Sequence, residues 1–236
     1  MRRQAIDTLG TAGRAIIAAI AGRGSPAWRY AAPFTIALAA AAMVGCGSAR
    51  ESPLPAGSVV LIVGDSITAG YGVEAQQAWP AQLAQRTGWR VVAAGVSGER
   101  TEGGRARLPA LLDEHAPSLV VIDLGGNDML RRVPDADIVA NLDAMIEAVR
   151  ARGAKVVLMA APKPSAIGAL TGLSPATLYG DLAQRRKTPV IGKALPGVLS
   201  DANLRLDLLH PTAAGHRVLA DRAVDELAGI GFVARR

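Results

Sequence analysis

The segment that most limits how this chain can fold is Val59–Gly72, which reads VVLIVGDSITAGYG. Its first part is a continuous apolar run that breaks at Gly64 and is followed at once by Asp65 and Ser66. A short apolar run with a glycine break is typical of a buried strand in a parallel sheet. Because residues just past the carboxyl end of such a strand face the ligand-binding crevice, we predict that Ser66 lies in a functional site.

Strand-like and helix-like patterns alternate from Ser58 to the end of the chain. Apolar runs predict strands over 59–63, 89–94, 119–124, 155–159 and 189–191. Apolar residues at helical spacing predict helices over 78–86, 102–115, 136–152, 176–186 and 212–228. This alternation predicts a single α/β domain over residues 58–236, built as a three-layer α/β/α sandwich around a five-stranded parallel sheet.

The first 45 residues have the layout of an export signal. A basic stretch that ends at Arg29 precedes the apolar run Ala31–Gly45, which suits the core of a signal peptide and is short for a membrane span. Of the net charge of +6 on the whole chain, +4 falls in this segment. Most of the net positive charge therefore belongs to this amino-terminal leader and not to the rest of the chain, and we predict no nucleic-acid partner.

Cys46 follows the apolar run directly and is the only cysteine of the chain. The sequence Met43-Val44-Gly45-Cys46 resembles a bacterial lipobox, whose cysteine is lipidated and becomes the first mature residue. We predict a lipoprotein-type signal peptide over 1–45, a membrane tether through lipidated Cys46, a linking segment over 46–57, and anchoring on the periplasmic or extracellular side. The alternative is that Cys46 is an ordinary small apolar residue.

Three further polar clusters stand after predicted strands or before the last helix. They are Gly95–Thr101 (GVSGERT), Gly125–Asp128 (GGND) and Asp207–Pro211 (DLLHP). Each cluster alone is compatible with an ordinary turn or helix cap. Their position at one edge of the predicted sheet allows them to act together with Ser66.

Ser66, His210 and Asp207 have the chemistry of a nucleophile, a base and an orienting acid. A serine hydroxyl is a poor nucleophile unless a base takes its proton, and histidine titrates near neutrality. Asp207, three residues before His210, can reach the other ring nitrogen and fix the tautomer. We therefore predict Ser66, Asp207 and His210 as the catalytic residues of an acyl-transfer site.

Gly-Asp-Ser, a downstream glycine, Gly-x-Asn-Asp and Asp-x-x-His-Pro occur here in order, and together they resemble the four blocks of the SGNH (GDSL-type) hydrolase family. The resemblance runs over residues 58–229, and it points to the multifunctional bacterial thioesterase, lysophospholipase and arylesterase branch. It implies a flavodoxin-like fold, an acyl-enzyme on Ser66, and an oxyanion hole formed by the Ser66 N–H, the Gly98 N–H and the Asn127 amide. No cofactor and no metal ion are expected.

Several residues have structural interpretations within this pattern. Asp65 and Asp128 are interpreted as anchors of their turns. His115 and His216 have no acidic partner at a comparable spacing, so we interpret them as helix residues outside the catalytic set. Three positions depart from the usual pattern of the branch, and they are Ala93, Glu99 and Leu208.

Two segments are candidates for the walls of a substrate pocket. Met129–Pro134 follows Asn127, and the apolar stretch Pro162–Leu178 either lines an acyl groove or forms an ordinary surface loop. Aromatic residues make up only 3% of the chain, which favours acyl groups over stacked sugars. The predicted partner is a small acyl-ester or lipid substrate.

Three other functions are compatible with parts of the sequence. A carbohydrate O-deacetylase of the same fold would prefer acetyl groups. A non-catalytic binding lipoprotein would not need the Ser66, Asp207, His210 and Asn127 set. A flavodoxin-like nucleotide binder would use the Ser66–Gly70 turn for phosphate, but it leaves the Asp-x-x-His sequence unexplained.

Overall fold

The computed structural model describes residues 51–165 and 172–234. Its centre is an all-parallel five-stranded sheet in the order β2-β1-β3-β4-β5. The strands are β1 (Val59–Gly64), β2 (Arg90–Gly95), β3 (Leu119–Asp123), β4 (Lys155–Met159) and β5 (Val190–Ile191). The predicted α/β fold with a five-stranded parallel sheet is confirmed, and this strand order is that of flavodoxin-like folds.

Eight α-helices accompany the sheet within the described residues. They are α1 (Ser66–Ala69), α2 (Trp79–Thr87), α3 (Thr101–His115), α4 (Gly126–Leu130), α5 (Asp135–Ala151), α6 (Thr177–Arg186), α7 (Ala194–Leu199) and α8 (Ala213–Ile230). The short helices α1, α4 and α7 were not predicted from the sequence. Each has six residues or fewer, which is too short to show helical periodicity.

The central strands are buried on both faces, which explains their continuous apolar sequences. Alternate residues of each strand enter two separate cores. One core joins Leu61 and Ile122 to α3, α5 and α6, and the other joins Ile62 and Val121 to α2, α7 and α8. Two cores on opposite faces of one sheet make a three-layer sandwich.

The strand order reverses between β1 and β3, and this reversal determines where polar loops meet. In register, Gly64 at the end of β1 pairs with Gly95 of β2 on one side and with Asp123 of β3 on the other. A side chain at Gly95 would clash with the backbone of Ala69. Glycine therefore lets α1 lie directly over the end of β2, at the place where ligands bind in open α/β sheets.

Part of the predicted amino-terminal organisation lies outside the described residues, including the leader, residues 46–50 and Cys46. Contacts with the domain begin before Ser58, because the Leu54 N–H donates a hydrogen bond to the Phe232 carbonyl at 2.9 Å. Within residues 51–165 and 172–234, none of the helices has the length and apolarity needed to cross a membrane.

Candidate active site

Ser66, His210 and Asp207 lie in a hydrogen-bonded line at the carboxyl edge of the sheet. Ser66 is the first residue of α1, and its Oγ is 3.1 Å from His210 Nε2. On the other side of the ring, His210 Nδ1 is 2.8 Å from Asp207 Oδ2 and 3.1 Å from Asp207 Oδ1. A carboxylate only accepts, so Nδ1 carries the hydrogen and Nε2 is free to accept from the serine hydroxyl.

The loop before α8 holds Asp207 in this orientation. Asp207 Oδ1 accepts hydrogen bonds from the backbone N–H groups of Leu209 at 2.7 Å and His210 at 2.8 Å. Desolvation raises the pKa of Asp207, but the hydrogen bonds from His210 and Leu209 outweigh it, and the pKa is lowered overall. Asp207 is therefore ionised at neutral pH, as a partner of an imidazolium must be.

The three predicted oxyanion donors belong to the three separate segments that follow β1, β2 and β3. The Ser66 N–H begins α1, where helix N–H groups have no intrahelical partner. Gly98 has φ of 76°, a left-handed conformation that favours glycine. Gly98, Asn127 and Ser66 all line one cavity. The structure thus brings these groups together with the Ser66–His210 pair.

Asp65 anchors its turn, as expected from the sequence, and it also makes a contact with a second loop of the site. Its Oδ1 accepts from the Ile67 N–H at 3.0 Å, which caps α1. Its Oδ2 accepts from Asn127 Nδ2 at 2.9 Å and so connects the loop after β1 to the loop after β3. One hydrogen of the Asn127 amide is fixed on Asp65, and this orients the second hydrogen.

Asp128 and Glu99 hold the loops that carry the other site residues. Asp128 accepts from the Thr101 N–H at 2.9 Å and from the Thr101 hydroxyl at 2.7 Å, which ties α4 to the start of α3. Glu99 accepts from Arg107 Nε at 2.9 Å, and the same guanidinium donates to the Ala94 carbonyl at 2.7 Å. Glu99 therefore has an anchoring role, although it is one of the three positions that depart from the usual pattern of the branch.

Tyr71 is a member of the site that the sequence did not indicate. Its ring lies beside the imidazole of His210, with centroids 4.4 Å apart and an angle of 38° between the planes. The side chain is half-exposed at the mouth of the cavity. No motif contains Tyr71, so only the three-dimensional structure reveals this contact.

A cavity of about 600 Å³ opens beside Ser66 and is lined mainly by apolar side chains. Leu195 and Leu199 of the unpredicted helix α7 form part of its wall. The apolar lining also includes Ile67, Leu124, Leu130, Ala161, Pro162, Pro164, Leu173, Leu208 and Leu209. Both predicted wall segments therefore contribute, since Leu130 belongs to the first and Pro162–Ser165 and Leu173 belong to the second.

The exposed large apolar side chains of the described residues gather around this cavity. Four of them line it, and these are Tyr71, Leu130, Leu208 and Leu209. Val96 adjoins the lining residue Ser97, and Leu206 adjoins Asp207. Exposed apolar residues that cluster in this way indicate a surface that receives an apolar ligand. Within the described residues, no group of three or more His, Cys, Asp and Glu side chains is arranged to hold a metal ion.

His216 is buried in α8 and lies outside the hydrogen-bonded line. Its Nδ1 accepts from the Trp79 N–H at 3.2 Å, so the hydrogen of the neutral ring is on Nε2. Nε2 is buried without a hydrogen-bond partner among the described residues. Burial, with a smaller contribution from His210, lowers the pKa of His216 to about 4. The interpretation of His216 as a structural helix residue agrees with these contacts.

This buried histidine predicts a loss of stability in acid. An unfolded histidine takes up a proton near pH 6.5, whereas folded His216 resists protonation down to about pH 4. The stabilisation by neutral His216 is complete above pH 6.5 and is lost as the pH falls toward 4, at a cost of about 2–3 kcal/mol by pH 4.5. His216→Asn keeps an acceptor for the Trp79 N–H but cannot titrate.

Urea unfolding of the full chain at pH 7.5 and pH 4.5 measures this effect. The free energy of unfolding should fall by about 2–3 kcal/mol less in His216→Asn than in the wild type between these pH values. The His216→Asn variant supplies the pH dependence due to all other groups, because residue 216 no longer titrates in it. An equal loss in both proteins would contradict the assignment to His216.

The chain is similar in sequence to known esterases. Residues 62–218 match the sequence model of the GDSL-like lipase/acylhydrolase family. Over 165 residues the chain is 41% identical to esterase TesA of Pseudomonas aeruginosa, which covers 67% of this chain and 82% of that protein. Over 177 residues it is 33% identical to thioesterase 1/protease 1/lysophospholipase L1 of Escherichia coli K12, which covers 73% of this chain and 84% of that protein.

Solved structures agree with the sequence comparisons. A crystal structure of TesA matches with a TM-score of 0.66 and 36% sequence identity, over 73% of this chain and 99% of that one. At this identity the likeness extends beyond the fold to the sequence of the domain.

Proposed function

The chain belongs to the GDSL-like lipase/acylhydrolase family and is a carboxylic ester hydrolase, and we propose that it cleaves acyl esters through a covalent intermediate on Ser66. One observation carries this proposal. Ser66 Oγ lies 3.1 Å from His210 Nε2 at the mouth of an apolar cavity, with Asp207 hydrogen-bonded to the far side of the imidazole.

The proposed reaction begins with attack of Ser66 Oγ on the ester carbonyl carbon. His210 Nε2 takes the hydroxyl proton as the C–O bond forms, and it then returns the proton to the leaving alcohol as the ester bond breaks. Asp207 stabilises the imidazolium between these two transfers. A water molecule, deprotonated by His210, then attacks the carbonyl carbon of the acyl-enzyme. His210 returns that proton to Ser66 Oγ as the bond from the acyl carbon to Oγ breaks and the carboxylic acid leaves.

The negative charge on the carbonyl oxygen requires hydrogen-bond donors that are already in position. We assign this role to the Ser66 N–H, the Gly98 N–H and the Nδ2 hydrogen of Asn127 that does not bond to Asp65. Donors of this kind contribute roughly 3–4 kcal/mol each to the transition state in serine hydrolases. Support comes from the shared lining of the cavity by Ser66, Gly98 and Asn127.

We propose substrates with acyl chains longer than acetyl, including lysophospholipids and acyl thioesters. The size and lining of the cavity support this substrate class. Its volume of about 600 Å³ and its leucine-rich lining far exceed what an acetyl group can occupy. Burial of each added CH₂ is worth about 0.8 kcal/mol. An acyl chain that extends toward Leu195 and Leu199 therefore gains affinity with length until the cavity is filled.

A series of p-nitrophenyl esters from acetyl to palmitoyl tests this proposal. We expect kcat/KM to rise by up to about fourfold for each added CH₂, since 0.8 kcal/mol corresponds to that ratio, and then to level off. The leaving group is constant through the series, so the acetyl ester serves as the internal reference.

The outcomes of this series separate the candidate functions. A rise with chain length supports an acyl esterase. Activity confined to the acetyl ester would contradict the acyl-chain assignment and favour a carbohydrate O-deacetylase. Folded protein without activity on any of these esters would contradict the proposed reaction and favour a binding protein.

For the amino-terminal segment, the proposal is export and lipidation at Cys46, with anchoring on the periplasmic or extracellular side. Its support is the sequence alone, namely the apolar run Ala31–Gly45 followed by the single cysteine. An anchor of this kind would hold the catalytic domain near lipid substrates.

A further inference from the structure

A second carboxyl group lies buried beside Asp65 at the floor of the active-site cavity. Asp123 is the last residue of β3, and it pairs in register with Gly64, the residue before Asp65. It is only 4% exposed and lines the cavity. A carboxyl group in such a place, at the end of an otherwise apolar strand, has no part in the proton transfers from Ser66 to His210.

The hydrogen-bond partners of the two carboxyl groups differ in kind. Asp65 accepts from the Ile67 N–H and from the NH₂ group of Asn127, and neither of these nitrogens can accept a hydrogen bond. Asp123 Oδ2 accepts from the Thr68 hydroxyl at 2.7 Å, and no hydrogen bond involves Asp123 Oδ1 among the described residues. A proton on Asp65 would compete with one of these contacts, whereas Asp123 can hold a proton on Oδ1 while Oδ2 still accepts from Thr68.

The backbone is built around the contact between Thr68 and Asp123. A side chain at Gly64 would clash with the Thr68 hydroxyl and would lie 3.2 Å from Asp123 Cβ. The glycine of the Gly-Asp-Ser sequence thus makes room for this pair. Since two neighbouring buried carboxylates repel each other, a single proton on one of them is the stable arrangement.

We propose that Asp123 is a positioning residue that holds a proton beside Asp65, so that Asp65 stays ionised and aligns the Asn127 amide for the oxyanion. Loss of this proton places a second negative charge near the carbonyl oxygen and slows the reaction. This inference rests on the proposed function, because it assigns Asn127 to the oxyanion hole.

The surroundings of the pair are consistent with one shared proton. Burial and the charge of Asp65 raise the pKa of Asp123 to about 7, although the Thr68 hydroxyl opposes the rise. Burial also raises the pKa of Asp65, against the hydrogen bonds from Ile67 and Asn127. His210 and Glu99 act on Asp65 through their charges.

The remaining charged and titratable groups around the pair come from α3, α4 and α6. Tyr179 of α6 donates to the Leu124 carbonyl at 2.8 Å, and burial keeps its pKa above the usual range. Arg107 of α3 donates to the Gly64 carbonyl at 3.3 Å and is paired with Glu99. Asp128 of α4 acts on Tyr179 and is bonded to Thr101. Each of these groups is engaged by a partner of its own.

The Asp123→Asn variant tests the proposal, because an amide has the shape of a protonated carboxyl group and cannot ionise. The measurement is the ratio of kcat for the variant to kcat for the full-length wild type, on one ester, from pH 5 to pH 9. The ratio removes the pH dependence that the two proteins share. We expect it to rise roughly tenfold with a midpoint near pH 7, as the wild type alone acquires the second charge.

A second variant and a spectroscopic measurement keep the proposal testable if Asp123→Asn folds poorly. Thr68→Ala removes the hydroxyl that favours the ionised form, so its decline in kcat should move to higher pH. Infrared difference spectra of the wild type between pH 6 and pH 9 should show loss of the carbonyl band of a protonated carboxyl group. In Asp123→Asn that band should be absent.

Either a constant activity ratio across the pH range or the absence of a titrating carboxyl band in the wild type would overturn the proposal. A Thr68→Ala profile identical to the wild type would also count against it. If no ester were hydrolysed at all, the proposed function would fail, and the infrared band alone would still decide whether Asp123 holds a proton.

Discussion

Replacement of Ser66 by alanine is expected to lower kcat for ester hydrolysis by roughly 10⁴- to 10⁶-fold. The change removes the one hydroxyl oxygen that lies 3.1 Å from His210 Nε2, and with it the covalent step. His210, Asp207 and the proposed oxyanion donors keep their positions, because none of their other hydrogen bonds involves Ser66 Oγ. Only the weak catalysis of a bound water molecule should remain.

Two measurements check this expectation on the same protein samples. The first is kcat on the best ester of the chain-length series. The second is labelling by a fluorophosphonate, which should add one adduct per wild-type chain and none to Ser66→Ala. The matched control is Ser118→Ala, which changes an exposed serine just before β3, and its activity should equal that of the wild type. Retention of a tenth of the activity in pure Ser66→Ala would show that another group is the nucleophile.

The sheet could be predicted from the sequence because its strands are buried on both faces. Val59–Val63 is an uninterrupted apolar run, and Leu119–Ile122 is another that ends at Asp123. The fold that they predicted is confirmed. Helix α7 was missed, because the six residues Ala194–Leu199 enclose a proline and a glycine and complete fewer than two turns.

Only those residues of the candidate site that stand in short sequence motifs could be predicted. Ser66, Asn127 and His210 stand in short motifs that follow strands or precede a helix, so their meeting at one edge follows from the fold. Tyr71 and Leu195 could not be identified, because their role depends on contacts with residues more than a hundred positions away. Likewise, the contact of Asp65 with Asn127 joins two loops separated by 62 residues.

Replacement of Asp207 by asparagine is expected to lower kcat by roughly 10⁴-fold, the scale seen when a serine hydrolase loses its orienting carboxylate. The structure gives a specific reason. The two backbone N–H groups of Leu209 and His210 both donate to Asp207 Oδ1 and would hold the amide oxygen of the asparagine there. The amide nitrogen would then take the place of Oδ2, which is 2.8 Å from His210 Nδ1.

An amide nitrogen in that position donates, so Nδ1 would have to accept and the ring hydrogen would move to Nε2. A protonated Nε2 cannot take the proton of Ser66. In Asp207→Ala no group enforces this tautomer, and the imidazole can still present a free Nε2 to the serine. We therefore expect the alanine variant to be several times more active than the asparagine variant, although it loses more hydrogen bonds. Steady-state kinetics of both variants on one ester, with circular dichroism to verify folding, measure this order. An asparagine variant as active as the alanine variant would show that the backbone N–H groups do not fix the side chain, and that Asp207 acts on His210 only through its charge.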